Sequence, residues 1–534
     1  MRGEGDSMSK KGFLAIVLHS HLPFVRHPEI DDPLEERWLF EAMSESYIPL
    51  IQVYDKLIGD NIKFKITMSI TPTLMTMLED EYLNNRYQEY LNKNIELTEL
   101  ELERNKGNEL YILSKFYNER FSSILETYKY YNCRLMNAFK KYDKLGCLEI
   151  ITSSATHGLL PLLMVNPETV RAQINEAIQL YIDILGHKPK GIWLPECAYS
   201  YELEPILGEF GINYFISENV AVLNASPKPV YGTYAPIATN NGICVFGRDM
   251  ESSEQVWSGI KGYPGSYDYR EFYKDIGYEL PMTYIGPYIN KEGIRIDTGI
   301  KYHKITGKTD NKDIYNRGKA MERAKEHSCD FVSSRHNQIN SASEHMDIPP
   351  IICCPYDTEL FGHWWFEGPD FIDGLIRKTF EDSTCYELTT PSEYLEANPI
   401  IQYSIPSPSS WGEHSDYSVW INTDNHWIYK KLYQCSKLMI ELANSCMEPN
   451  DKEERLLNQA ARELMLAEAS DWPFIIKNNT TVEYAVNRIN THINRFYKLY
   501  ESYIANDIDE KYLDEIEVLD NIFPKMNFRR YRKP

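Results

Sequence analysis

The stretch FLAIVLHSHLPF, residues 13–24, decides the fold: an unbroken apolar run from Phe13 to Leu18 leads straight into His19 and His21. Lys10 and Lys11 precede it, but the run is too short for a signal-peptide core and reads as a strand buried on both faces. Six more runs of the same kind follow at wide intervals: KFKITMSI (63–70), CLEIITSS (147–154), GIWLPE (191–196), NYFISE (213–218), ICVFG (243–247) and PPIICCPYD (349–357). Each gives way to a polar or helical stretch. Strands alternating with helices imply a parallel sheet, and polar residues gathered just after the apolar runs belong at the carboxyl ends of the strands, where barrel enzymes keep their chemistry.

Composition narrows the function. Among 534 residues, 78 are acidic and 56 basic, a formal charge of −22 that repels phosphate backbones and anionic membranes, so neither nucleic acid nor a membrane is expected as a partner. No run of about 18 apolar residues suggests a membrane span. The ten cysteines form no CxxC pair and only Cys353 and Cys354 adjoin, which points to a reducing, cytoplasmic setting rather than a disulfide scaffold. Aromatic residues make up 13% of the chain, 39 of them tyrosines, as suits a folded protein rich in phenol rings.

Two regions break the rhythm. Residues 79–144 lack proline and are dense in Glu, Lys, Leu and Tyr, as expected of helices inserted between two strands. After Trp427 helical patterning resumes through Tyr503, with Leu456, Ala460, Leu464 and Ala467 on one face. The expected domains are therefore a catalytic unit over 10–78 and 145–415, a helical insertion over 79–144, a C-terminal helical domain over 416–525, and a frayed, solvated basic tail over 526–534.

The polar clusters supply the chemistry. His19 and His21, two apart on a strand, project to one side, either as an HxH metal pair with His157 of SATHGLLP as third ligand, or as imidazoles for a neutral substrate. In GIWLPECAY, Glu196 follows a strand among Trp193 and Tyr199. In CCPYDTELFGHWWFEGP, Asp357 ends a strand, and Glu359, His363, Trp364, Trp365 and Glu367 crowd behind it; a helix N-cap would explain Asp357 but not the tryptophans. SSWGEHSDYSVW sets Trp411 and Trp420, with Trp427 beyond, in a setting that suits an exposed aromatic surface. WSGIKGYPGSYDYREFYKD, with Trp257 and Arg270, reads as a glycine-rich loop entering a helix, and SDWP as a helix start that could carry Asp471 across a domain boundary. Two carboxylates framed by aromatic rings are what a glycosidase needs.

In this order the segments HSHLPF, ATHGLLP, WLPECAY, YDTELFGHWWFEGP and SSWGE...W resemble the successive signature regions of glycoside hydrolase family 57, and within it the 1,4-α-glucan branching enzymes, over nearly the whole chain from Gly12. The resemblance implies a (β/α)7 barrel with an inserted helical subdomain and a C-terminal α-helical domain. It implies Glu196 as nucleophile and Asp357 as acid/base of a retaining transglycosylase that cleaves α-1,4 links and re-forms them as α-1,6 branches. His19, His21 and His157 would hold sugar hydroxyls, Trp257, Trp411 and Trp420 would stack on rings, and Arg270 and Asp471 would touch the α-glucan, an amylose- or glycogen-like polymer. No metal or organic cofactor is implied. The sequence departs from the family where His414, Ser415 and Asp416 replace expected glycines, and Tyr231 and Tyr234 stand in the region of the loop tyrosine that shields the intermediate from water. An α-amylase or 4-α-glucanotransferase would keep both carboxylates, and a metal-dependent deacetylase or amidohydrolase barrel would use the histidines instead.

Overall fold

The computed structural model describes residues 10–382 and 385–533. All seven apolar runs become strands: β1 Gly12–Ser20, β2 Ile66–Ile70, β3 Leu148–Ile151, β4 Gly191–Trp193, β5 Tyr214–Ser217, β6 Cys244–Gly247 and β7 Ile351–Asp357. They pair in parallel in the orders β7-β1-β2-β3 and β4-β5-β6. A parallel bridge between Thr152 and Ile192 joins β3 to β4, and the Asp249 amide donates to the Cys353 carbonyl at 2.9 Å to join the end of β6 to β7. The ring is closed, a (β/α)7 barrel. Tyr386–Leu388 adds to β1, while Ile237–Ala238 and Gln402–Tyr403 extend the β6 side.

Side-chain alternation sorts the apolar residues of these runs between two buried faces. Ala15 and Val17 of β1 pack inside the barrel with Ile151, Trp193, Tyr214, Ile216, Phe246, Ile351 and Cys353, while Leu14, Ile16 and Leu18 pack outward against the helices. The inward row of β1 continues to His19, and that of β7 to Asp357. The register sets His19 opposite Ser69 of β2 and opposite Asp357 of β7. Three polar groups thus meet at one rim of an otherwise apolar barrel.

Between β2 and β3 run the helices Pro72–Glu79, Glu81–Arg104, Tyr111–Tyr130 and Met136–Lys144. The C-terminal region holds Trp427–Ser445, Asp451–Ala467, Asp471–Asn478, Val482–Ala505 and Glu510–Leu519. Asn450 and Glu453 form a capping box on the second of these, whose Leu456, Ala460, Leu464 and Ala467 are buried.

Two expectations fail. The basic tail is packed rather than frayed: Phe528 and Tyr531 are buried, Arg529 pairs with Glu454 at 2.7 Å, and Arg532 donates to the carbonyls of Ala443 and Cys446. Arginine stems and paired charges hide an aromatic anchor that a charge count overlooks. Nor does a helix form at Arg270. The chain stays irregular until Ile276, where Asp275 accepts from the Gly277 amide at 2.8 Å. Gly265 lies so close to the Gly259 carbonyl that a side chain there would meet it at 2.2 Å, a backbone contact that only glycine allows.

Candidate active site

Glu196 leaves β4 through a left-handed turn, φ +60° and ψ +24°, followed by Cys197 at φ +49°. Two successive non-glycine residues in that region cost conformational energy and are found where the surrounding structure holds them, typically at functional sites. Trp411 does the holding: its amide donates to the Glu196 carbonyl at 3.0 Å and its indole Nε1 donates to Glu196 Oε2 at 2.8 Å. The other oxygen, Oε1, accepts from the Ser470 hydroxyl at 3.0 Å.

Ser470 comes from the C-terminal region, whose segment Ala469–Asp471 enters the barrel mouth beside His157. Ala469 bridges to Gly158, and the Ser470 amide donates to the His157 carbonyl. Because an ionised carboxylate only accepts, Ser470 Oγ donates to it and its lone pair takes the proton of His157 Nδ1 at 2.8 Å. That leaves His157 Nε2 to accept from His19 Nε2 at 3.0 Å, and His19 Nδ1 to accept from Ser69 at 3.1 Å. One direction of donation runs from Ser69 to Glu196. This assignment requires both rings neutral, and burial holds His19 and His157 well below the usual imidazole range, helped by the neighbouring His21. His19 also stacks on Trp193, with centroids 4.4 Å apart.

His21 differs. Burial acts against its charge, but Asp471, whose two oxygens both lie 3.1 Å from Nε2, raises it overall. The imidazolium donates through Nδ1 to Thr71 and stacks on His157 at 3.8 Å. All six ring nitrogens of His19, His21 and His157 thus have protein partners, so in this geometry His19 and His157 orient Glu196 through Ser470 and none of the three offers a free donor to a sugar. His21, His157 and Asp471 also bring one potential ligand atom each within 4.8 Å of one another.

Asp357 differs again. Among the described residues no side chain donates to its carboxyl, and the Asp357 side chain does not cap the turn Thr358–Leu360 that follows. Burial pushes it up to about 6, against the pull of Arg248 and His21. Burial pushes Glu196 up to about 7, opposed by its bonds to Trp411 and Ser470 and reinforced by the charges of Asp471 and Asp357. The protons of two carboxyls that feel each other belong to the pair, so the roles are separated by hydrogen bonding rather than by the order of these values. Glu196 is anchored as an anion by two donors; Asp357 is free to carry and release a proton. A third carboxyl, Glu359, accepts from the Tyr47 hydroxyl and is pushed up to about 7 by burial.

The remaining predicted contacts divide. Trp257 is 56% exposed at the wall of a cleft that reaches Asp357, Trp411 donates to Glu196 directly, and Asp471 reaches the site through its bond to His21. Trp420 is a correction: it is 1% exposed, packed with Leu159, Ala198 and Gly412, and serves the core instead of a sugar wall. The Arg270 side chain is also 1% exposed, paired with Glu45 at 3.3 Å and lying 3.7 Å from the Phe366 ring centroid, so its guanidinium supports the wall from inside. His414 and Ser415 keep the turn that glycines would give, at φ +66° and +56°. Tyr231 donates to Asp347, just before β7 begins, and Tyr234 accepts from Gln338 on the helix Arg317–Ser343, so both hydroxyls are engaged away from the carboxyl pair. Ser470, Ser69 and Thr71 went unread in the sequence, since single hydroxyls carry no pattern; Ser470 alone had a signal, its place beside Asp471.

Residues 15–349 match the family described as Glycosyl hydrolase family 57, and residues 431–531 match one described as 1,4-alpha-glucan branching enzyme, C-terminal. A 1,4-alpha-glucan branching enzyme from Thermococcus kodakarensis is 34% identical over 548 aligned positions, covering 96% of this chain and 77% of that protein. Among solved structures, the alpha-amylase AmyC from Thermotoga maritima superposes with a TM-score of 0.92 at 43% identity, covering 98% of this chain and 99% of that one. The GH57-type branching enzyme from Pyrococcus horikoshii does so with a TM-score of 0.88 at 34% identity, covering 98% and 97%.

Proposed function

This chain belongs to glycosyl hydrolase family 57, and from that premise we propose that it is a retaining α-glucan transglycosylase, a 1,4-α-glucan branching enzyme whose nucleophile is Glu196 and whose acid/base is Asp357. The observation that carries the assignment is the asymmetry of the two buried carboxyls, one fixed by Trp411 and Ser470 and the other given no side-chain donor among the described residues. Asp357 gives its proton to the oxygen of an α-1,4 link as a Glu196 oxygen attacks C1; the C1–O bond breaks and the glucan departs with a free 4-hydroxyl. A 6-hydroxyl of another chain then attacks C1 and yields its proton to Asp357. Glu196 leaves as a carboxylate into the waiting donors, and an α-1,6 branch has formed. Water in place of the 6-hydroxyl gives hydrolysis.

Ser470, Asp471 and the histidines set the charge and orientation of the pair, Trp411 bonds Glu196, and Trp257 is an aromatic wall for the glucan in the cleft that reaches Asp357. The polymer is an amylose- or glycogen-like α-glucan, with no nucleic acid or membrane partner. No helix among the described residues is long and apolar enough to cross a membrane, and ten unpaired cysteines suit the cytoplasm.

The direct test is the pair of variants Glu196→Gln and Asp357→Asn. Each is expected to lose about 10²-fold or more in turnover on every α-glucan, with wild-type activity persisting after exhaustive chelation. Wild-type turnover in either variant removes the assignment, and activity lost on chelation and restored by a divalent ion moves it to a metal-dependent hydrolase. A second reading, α-amylase on the same carboxyls, is favoured by the 43% identity to the alpha-amylase AmyC and by the distant engagement of Tyr231 and Tyr234.

A further inference from the structure

Beside Asp357 opens a cleft of about 470 Å³, within the range of small-molecule sites. Asp357 lines it; Glu196 does not. In a retaining glycosidase the acid stands on the leaving-group side of the scissile bond and the nucleophile on the opposite face of the sugar. A cleft that contacts only the acid is therefore the space into which the departing glucan, and later the acceptor, must fit.

Its wall presents large rings to solvent that the fold does not bury: Trp257 is 56%, Trp364 57% and Tyr273 81% exposed. Exposed Trp clusters are the informative exception, since the chain elsewhere buries Trp193, Trp420 and Trp472. Trp364 is also held still. Its ring stacks on Phe272 with centroids 4.7 Å apart at 21°, and Lys301 Nζ sits 4.5 Å from the Phe272 centroid. Its amide donates to the carbonyl of Glu359, two residues from Asp357, and its neighbour His363 is bonded to Glu45 at 2.7 Å. An indole fixed on that side and open on the other, at short chain distance from the proton donor, is a platform for the apolar face of a pyranose.

We propose that Trp364, backed by Phe272, is the platform that binds the leaving-group and acceptor glucan beside Asp357, and so sets how well a chain competes with water for the intermediate. This rests on the α-glucan reading above and adds the residue that selects the acceptor.

The test compares two substrates that share the attack on C1 and differ in what leaves. Maltoheptaose places departing glucosyl units in the cleft. α-Maltosyl fluoride leaves it empty and its leaving group needs no proton donor. Trp364→Ala is expected to lower kcat/KM on maltoheptaose roughly tenfold while changing fluoride release by less than about twofold, and Trp364→Phe to keep most of the maltoheptaose rate. Equal losses on both substrates, or no loss on maltoheptaose, overturn the proposal. The branching reading fails separately, if wild-type protein builds no α-1,6 links on amylose, and the comparison of leaving groups remains readable in a pure hydrolase.

Discussion

Replacing Trp411 by Phe isolates one hydrogen bond of the proposed nucleophile. The indole Nε1 donates to Glu196 Oε2 at 2.8 Å, and the ring packs edge-on against Trp193 at 5.1 Å between centroids. Phenylalanine keeps the ring contact and removes the donor. A hydrogen bond to a charged acceptor contributes about 1.5–3 kcal/mol and one to a neutral acceptor about 0.5–1.5 kcal/mol. In the glucosyl-enzyme Glu196 is an uncharged ester, and in the free enzyme it is a carboxylate, so the lost bond disfavours release over retention of the sugar by the difference, about 1–1.5 kcal/mol. That is roughly a tenfold shift toward the covalent state. With α-maltosyl fluoride the variant should show a burst of fluoride and a slower steady rate, and mass spectrometry of quenched protein should find more maltosyl adduct on the peptide carrying Glu196. If adduct occupancy is unchanged, or the adduct sits on Asp357 or Glu359, the reasoning about which carboxyl is the anion is wrong.

Asp471→Asn should change pH dependence at His21. Its pKa is raised in the folded protein above the ordinary value of 6.5, so its contribution to stability is fully present below that value and is lost as pH rises through the folded pKa. Removing the Asp471 charge should abolish that loss, giving thermal melting less sensitive to pH above the ordinary value of 6.5 than in wild type; an unchanged slope would mean His21 carries no such proton. Trp420→Ala should destabilise by about 3–5 kcal/mol in denaturant unfolding, whereas Trp257→Ala should stay within about 0.5 kcal/mol, because only the first opens a cavity. Ser470→Ala should weaken turnover without raising KM and raise the pKa of the Glu196 carboxyl, since it removes a donor to the charged form; a pure KM effect would make Ser470 a substrate contact instead.

The barrel was legible because its signal is local: seven apolar runs end in polar clusters, and all seven are strands. Period-two alternation then carried His19 and Asp357 to the same rim, which one residue of slip would have reversed. What the sequence could not resolve was burial of the remaining aromatics. Trp411 and Trp420 lie nine residues apart in one segment, yet one faces Glu196 and the other faces Leu159 and Ala198. Side chains of one type are sorted by the packing of distant elements, which no local pattern encodes. The contribution of the C-terminal region was half visible, through Asp471. Ser470, which bonds Glu196 across 274 positions, becomes meaningful only when Ala469 meets Gly158. The packed tail did carry a readable sign, Phe528 and Tyr531 three apart, hidden by the arginines around them.

The central claim, transfer to a 6-hydroxyl in preference to water, is tested most directly by proton NMR of amylose during incubation with the wild-type protein, followed by isoamylase digestion and chain-length analysis. The account predicts a growing α-1,6 anomeric signal, few new reducing ends, and short side chains released by debranching. A steady rise of reducing ends with no α-1,6 signal would contradict it and make the protein an α-amylase.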